Sequence, residues 1–514
     1  MQSLFISLLI GLLVGSSVAA PVSLATRSTA KPTPQQQQWL DYEVASMITW
    51  NIQTICSHGD GGKPYTTNDN VTSTPCQVSS SGFVPANAAV NAWNPSSLNT
   101  DEWASVSASF GAKYVILVAQ HWSGFSLWDT QQTNYSIAHT SYSKSQDVVK
   151  EMIASCNKYN LTLGIFYSVH MNWYAGVTNG AVNADPIGPT NYTQQSFVDM
   201  AGAQIKEIAD LFDGNLFELW FDAGVDNDLH LKYGLGDAIR AAAPNAICHG
   251  CLETDGGPIR WMMNEIGVQA LPSWGALNST REDSSTLADA NGDPMGAVFN
   301  PPVCDTVLRE HDWFYVNKSA SETDNLRSNF DLVNVWLTSV GRSANLILNI
   351  GPNGLGAIEE EDVAAYKRLG KSVECLLKSE VGGDGEGVYK MDADSGVMEP
   401  PLSFDSPITG NYTFFVREDI SHGQLINSFE IHCKIGGENE WDICPLSELG
   451  EGVIEGYPLS VGIGHKRVFH LVTGVGVEIE GVRVVVKDHY ATESEVPTLR
   501  DIVFYDWNDV ADCV

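Results

Sequence analysis

Basic residues are scarce: 28 Lys and Arg stand against 62 Asp and Glu in 514 residues, a formal net charge of −34. A protein that holds nucleic acid by neutralising phosphates needs the opposite balance, and an anionic membrane surface repels this one too. Neither is expected as a partner. Beyond the N-terminus no apolar run approaches the roughly 20 residues that span a bilayer. GxxxxGK[ST], HExxH and a GxGxxG after a strand pattern are all missing, which removes the usual footholds for nucleotide and zincin-type chemistry. The one CxxC, CHGC at 248–251, has metal-ligand or redox spacing but lacks the second pair of a structural zinc site. In a chain with ten cysteines it reads as a disulfide participant, so no metal and no cofactor is expected.

What is present is a large apolar and aromatic stock: 43% hydrophobic residues, only 18% charged, with 14 Trp, 17 Tyr and 18 Phe. Such a chain buries a sizeable core, and its acidity sits on a folded surface. The length fits two to four ordinary domains, or one large barrel with a satellite. Residues 1–20 carry an apolar stretch from Leu4 to Val14, then small residues with Val18 and Ala20 where a signal peptidase reads. This is expected to be a secretory signal peptide. The even cysteine count and seven sequons, at Asn70, Asn134, Asn160, Asn191, Asn278, Asn317 and Asn411, fit the same route, so a secreted, extracellular protein is expected.

Residues 21–38, ending in KPTPQQQQ, are polar and aperiodic and read as a linker. From 39 to about 380, short β-branched and aromatic runs alternate with helical periods, as in a parallel α/β sheet. Six strands are predicted, at Ser46–Asn51, Tyr114–Gln120, Leu161–Ser168, Leu216–Asp222, Ala246–His249 and Leu346–Ile350. Val149, Met152, Ile153 and Cys156 follow helical spacing, as do Leu326, Phe330, Val333 and Leu337. The sum is a (β/α) TIM-like barrel whose other two strands are hidden in the Pro-, Gly- and Asn-rich stretch 251–320. From 381 to 514 helical period vanishes and β-branched alternation takes over, which predicts a C-terminal β-sandwich.

Catalytic groups of such barrels lie at the C-terminal strand ends. There the sequence places Trp50 and Asn51, then His121 and Trp122, Tyr167 with His170 beyond, and Trp220, Phe221 and Asp222. Aromatic walls with a few polar groups and an acid are what a sugar requires, since rings cover C–H faces and polar groups read hydroxyls. A carboxylate at strand depth, as at Asp222, is costly unless paired or functional. Glycoside hydrolysis needs a second carboxyl, about 5 Å away for retention or farther for inversion. Two candidates follow: Glu265, ending a mixed apolar stretch near Arg260, and Glu282, in a polar loop between Arg281 and Asp283.

At these residues the chain resembles the α-L-fucosidases of glycoside hydrolase family 29. FGAKYVILVAQHWSGFSLWDTQQTNYSI is similar to the family stretch around His-His-Asp-Gly-Phe, FELWFDAG to its nucleophile strand, and NLILNIGPNGLG to its Asn-Ile-Gly-Pro turn. With CDTVLREHDWFYV, the resemblance spans about 45–375. It implies a retaining double displacement without a metal, releasing terminal fucose from a fucosylated glycan, with Asp222 as nucleophile. It also implies that His121 contacts fucose and that Tyr167 and Trp220 line the pocket. RWMMNEIG resembles an Arg-Trp-x-x-Asn-Glu motif, making Glu265 the first choice for acid/base and Glu282 the alternative. The chain departs from the pattern where the second histidine and the Asp are Trp122 and Ser123, where Phe-Ile-His reads Met47, Ile48 and Thr49, and at Val303. A binding protein that kept the pocket without turnover, and a glycosidase for another sugar, are the competing readings.

Overall fold

In the computed structural model the described residues are 29–56, 76–79, 82–85, 93–142, 147–184, 186, 188, 191–226, 228–251, 254–278, 290–310, 313–315, 325–377, 380–382, 388–437, 440–447, 461–472, 477–492 and 494–506. The signal-peptide segment 1–20 and Glu282 lie outside them.

Eight parallel strands form the barrel: β1 Val44–Ile48, β2 Tyr114–Gln120, β3 Thr162–Tyr167, β4 Glu218–Trp220, β5 Ile247–His249, β6 Arg260–Trp261, β7 Pro302–Thr306 and β8 Asn345–Ile350. They pair in the order β6-β7-β8-β1-β2-β3-β4-β5, and a parallel bridge from Cys248 to Pro258 joins the two ends. The six strands expected from the sequence are all present, and β6 and β7 are the two hidden ones. Every residue of β1, β2, β7 and β8 is buried, as strands covered on both faces must be. Alternate residues divide between two layers. Ala45, Met47, Ile116, Val118, Phe166, Trp220, Ile247, Val303 and Ile347 fill the barrel interior. Leu117, Leu163, Ile165, Leu219, Leu346 and Leu348 meet the surrounding helices.

Those helices include α2 Thr100–Ser109, α3 Val148–Lys158, α4 Gln194–Leu211, α5 Leu235–Ala242, α6 Asn329–Ser339 and α7 Glu360–Leu376. A further helix, α1 Pro34–Tyr42, corrects the expected linker at 21–38. Thr33 caps it, Pro34 opens it, and Gln36 returns a capping-box bond to the Thr33 N–H, so a polar, aperiodic segment still starts a helix. Its Trp39 is fully buried among the barrel-interior residues and donates to Glu218 at the start of β4 over 3.2 Å, while Asn345 at the start of β8 donates to the Trp39 carbonyl. α1 thus corks the N-terminal end of the barrel. Burial pushes the Glu218 carboxyl there up to about 8.

From Glu380 to Asp506 the chain forms two antiparallel sheets, the expected sandwich. One sheet contributes Phe415, Val468, Val503 and Tyr505 to the barrel's helix-side core, with Phe415 edge-on to Trp336 of α6 at 6.0 Å. At this junction Lys466, 2% exposed, pairs with Glu43 and lies over the rings of Trp336 and Phe415. Burial works against the Glu43 charge, but Lys466, His465 and Arg417 outweigh it and hold the carboxyl far below its usual range. Lys466→Ala leaves that carboxylate buried and short of a partner, so it should cost about 3 kcal/mol of stability. Adding Glu43→Gln to Lys466→Met should recover most of the loss, read as the midpoint of thermal or urea unfolding.

Candidate active site

At the C-terminal end of β4 the alternation continues past the last paired residue. Glu218 and Trp220 point inward and Leu219 and Phe221 outward, so Asp222 is the next inward position. Trp220 packs on His249 of β5 at 4.2 Å and edge-on to Trp261 of β6 at 6.2 Å, forming an aromatic floor. Asp222 is half-buried above it, and Trp122 Nε1–H donates to its Oδ2 over 2.8 Å. Burial raises the Asp222 pKa, while Trp122, the charge of His170 and the Ala223 backbone N–H pull it back. The turn that follows is locked to the next strand by Val225 N–H to the Gly250 carbonyl, 2.6 Å. Gly250 has φ +75°, and a Cβ there would collide with the Phe221 carbonyl, so this contact needs glycine. Cys248 and Cys251 of CHGC, expected to take part in a disulfide, pair with each other across the turn that ends β5; Cys433–Cys444 is a second disulfide.

A bulge aims the histidine. Between Val118 and Gln120 of β2 the register to β3 shifts. Gln120 consequently turns toward the helices, where its amide donates to Gln204 of α4, and His121 enters the mouth. The imidazole stacks between Trp122, 5.1 Å, and Phe166, 5.5 Å, with Phe314 edge-on at 5.0 Å. The Gln53 amide nitrogen lies 2.9 Å from Nδ1 and burial lowers the pKa to about 3, so the ring is neutral and its Nε2 carries the proton.

Three expected pocket residues lie elsewhere. Tyr167 points outward and donates to Gln204 over 2.6 Å; its neighbour Phe166, one residue earlier, is the inward ring. β1 ends at Ile48, so Trp50 falls in the outward phase, packed on Trp93 and Trp103 with its N–H on the Asn353 carbonyl. Asn51 is a brace: its amide donates to the Phe125 carbonyl and its oxygen accepts from Ile52 N–H. The expected strand Ser46–Asn51 runs three residues past the end of β1 at Ile48, so Trp50 and Asn51 lie beyond the strand and its alternation no longer aims them into the mouth.

Glu265 stands exposed on the loop after β6, at φ +51°. Thr306 at the end of β7 donates its hydroxyl to the Glu265 carbonyl, 3.0 Å, and bridges to Ile266. Next to Thr306 is the residue that sequence reasoning missed. Asp305 points into the barrel, is 2% exposed, and is pushed up to about 7, first by burial and then by the charges of Glu265 and Asp222, against a bond from Trp261. Three carboxyls therefore share one mouth. Asp305 ends a strand just as Asp222 does, and the same test applied to PVCDT would have found it. Among the described residues no group of three or more His, Cys, Asp or Glu is placed to hold a metal ion.

A family model described as Alpha-L-fucosidase matches residues 86–375. Alpha-L-fucosidase 1 of Arabidopsis thaliana is 25% identical over 387 residues, 68% of this chain and 71% of its own length. Two solved structures share the fold. A glycoside hydrolase 29 family member from an unknown rumen bacterium superposes with a TM-score of 0.70 at 22% identity, covering 93% of this chain and 78% of that one. A Ruminococcus gnavus GH29 fucosidase in complex with fucose gives 0.69 at 17%, covering 95% and 97%. The matched region runs to the end of α7 and holds β2 to β8 with Asp222, His121 and Glu265, so the resemblance seen in FELWFDAG and NLILNIGPNGLG is borne out: the chain belongs to the alpha-L-fucosidase family.

Proposed function

We propose that this protein is a retaining exo-α-L-fucosidase that removes terminal fucose from oligosaccharides, cell-wall polysaccharide or glycoprotein glycans. The observation that carries the reading is Asp222: an inward carboxylate ending β4 over an aromatic floor, oriented by a ring N–H, with Glu265 on the loop after β6. Asp222 attacks the anomeric carbon as the bond to the leaving oxygen breaks, and Glu265 gives that oxygen its proton. Water then attacks the fucosyl-enzyme, passes a proton to Glu265 and releases Asp222. His121, neutral and with Nε2–H free to donate, and His170 hold hydroxyls, and Trp220 packs the sugar's apolar face.

Secretion belongs to the same proposal. Of the sequon asparagines, Asn134, Asn160, Asn191 and Asn278 are exposed, as glycosylation requires. Among the described residues no helix is long and apolar enough to cross a membrane.

The wild-type protein should release nitrophenol from 4-nitrophenyl α-L-fucoside, and proton NMR should show α-L-fucose as the first anomer formed. A β-anomer would overturn the double displacement. Fucose binding without turnover would favour the binding-protein reading.

A further inference from the structure

The bond between Trp122 and Asp222 is unusual in its donor. An indole has one N–H and no acceptor, so it cannot exchange protons with a carboxylate; it can only orient it. The ring is itself fixed, stacked on His121 at 5.1 Å and edge-on to Trp173 at 6.4 Å, while its backbone carbonyl accepts from Trp173 N–H over 2.7 Å. At 37% exposed it forms part of the open mouth.

We propose that Trp122 is the positioning residue of the nucleophile: its N–H fixes Oδ2 of Asp222, leaving Oδ1 as the oxygen that attacks. The inference rests on the function proposed above. In the attack, the Oδ1–C1 bond forms as the bond from C1 to the leaving oxygen breaks. That oxygen takes the proton of Glu265, the carboxylate charge is lost, and Oδ2, now the carbonyl of the ester, keeps its hydrogen bond from Trp122. The groups facing Asp222 divide by sign. Trp122, the Ala223 backbone N–H and His170 favour the carboxylate, whereas Asp305 of β7, with Glu265 beyond it, opposes. Trp122 stands where the resembling motif has its second histidine, another ring with an N–H. The substitution thus keeps a donor and gives up a titratable one.

The test is the pH profile of kcat/KM for 4-nitrophenyl α-L-fucoside, using full-length wild type, Trp122→Phe, Trp122→Leu and Trp122→His. Without the N–H, the ionised form of Asp222 loses a stabilising bond and its pKa rises. The acidic limb of the Phe and Leu variants should therefore move up by roughly one pH unit. Their kcat should fall about tenfold to a hundredfold while KM changes less. Trp122→His should recover most of kcat. Thermal midpoints show which variants fold, and either donorless variant suffices. An unmoved acidic limb with the loss confined to KM would overturn the proposal and make Trp122 a wall of the sugar site. Wild type without turnover would instead overturn the fucosidase reading itself.

Discussion

Asp222→Ala is expected to lower kcat for 4-nitrophenyl α-L-fucoside by about 10⁴-fold or more, with the unfolding midpoint unchanged or raised. Both halves follow from the same surroundings. The carboxylate stands half-buried over Trp220 and His249, where burial raises its pKa, so the fold gains nothing by keeping it. Removing it deletes the covalent route altogether. Azide entering the vacated position attacks from the nucleophile's side, so slow rescue should yield β-fucosyl azide, visible by NMR. A loss smaller than tenfold would move the nucleophile to another carboxyl, and Asp305→Asn, assayed alongside, would say whether that is the buried one.

Glu265→Ala carries the second large effect, and it depends on the leaving group. A poor leaving group needs its proton, so a fucosylated disaccharide should be cut about 10²- to 10⁴-fold more slowly. Nitrophenol leaves unaided, so the first step should be nearly spared and the fucosyl-enzyme should accumulate. Azide then reacts without a general base and restores turnover as α-fucosyl azide, the opposite anomer to the Asp222 variant. The pinned backbone makes this residue the choice: Thr306 holds the Glu265 carbonyl beside Asp305. Failure of azide to accelerate Glu265→Ala would transfer the role to Glu282.

The barrel was legible because six strands lie in largely apolar stretches between helical periods, even where the strand itself is short, as at Glu218–Trp220 and Ile247–His249. The other two gave no such signal: Arg260–Trp261 is two residues long and Pro302–Thr306 begins on proline, both inside a stretch of turn formers. That gap also hid Asp305, whose strand was not recognised. Where a strand end was known, the acid on it was found, as at Asp222. The face was harder. His121 lies inward only because of the bulge after Val118, and Tyr167 lies outward by one residue. Which residue faces the cavity depends on such local departures from period two, and these leave no mark in composition.

The cork formed by α1 gives the molecule a usable polarity. Thr29 bonds to the sandwich at the His422 carbonyl, and the chain then turns into α1 and seals the end of the barrel opposite Asp222 and His121. A bead, tag or surface coupled ahead of residue 29 would therefore hold the enzyme by its closed end, leaving the reactive mouth facing outward to bulky glycans.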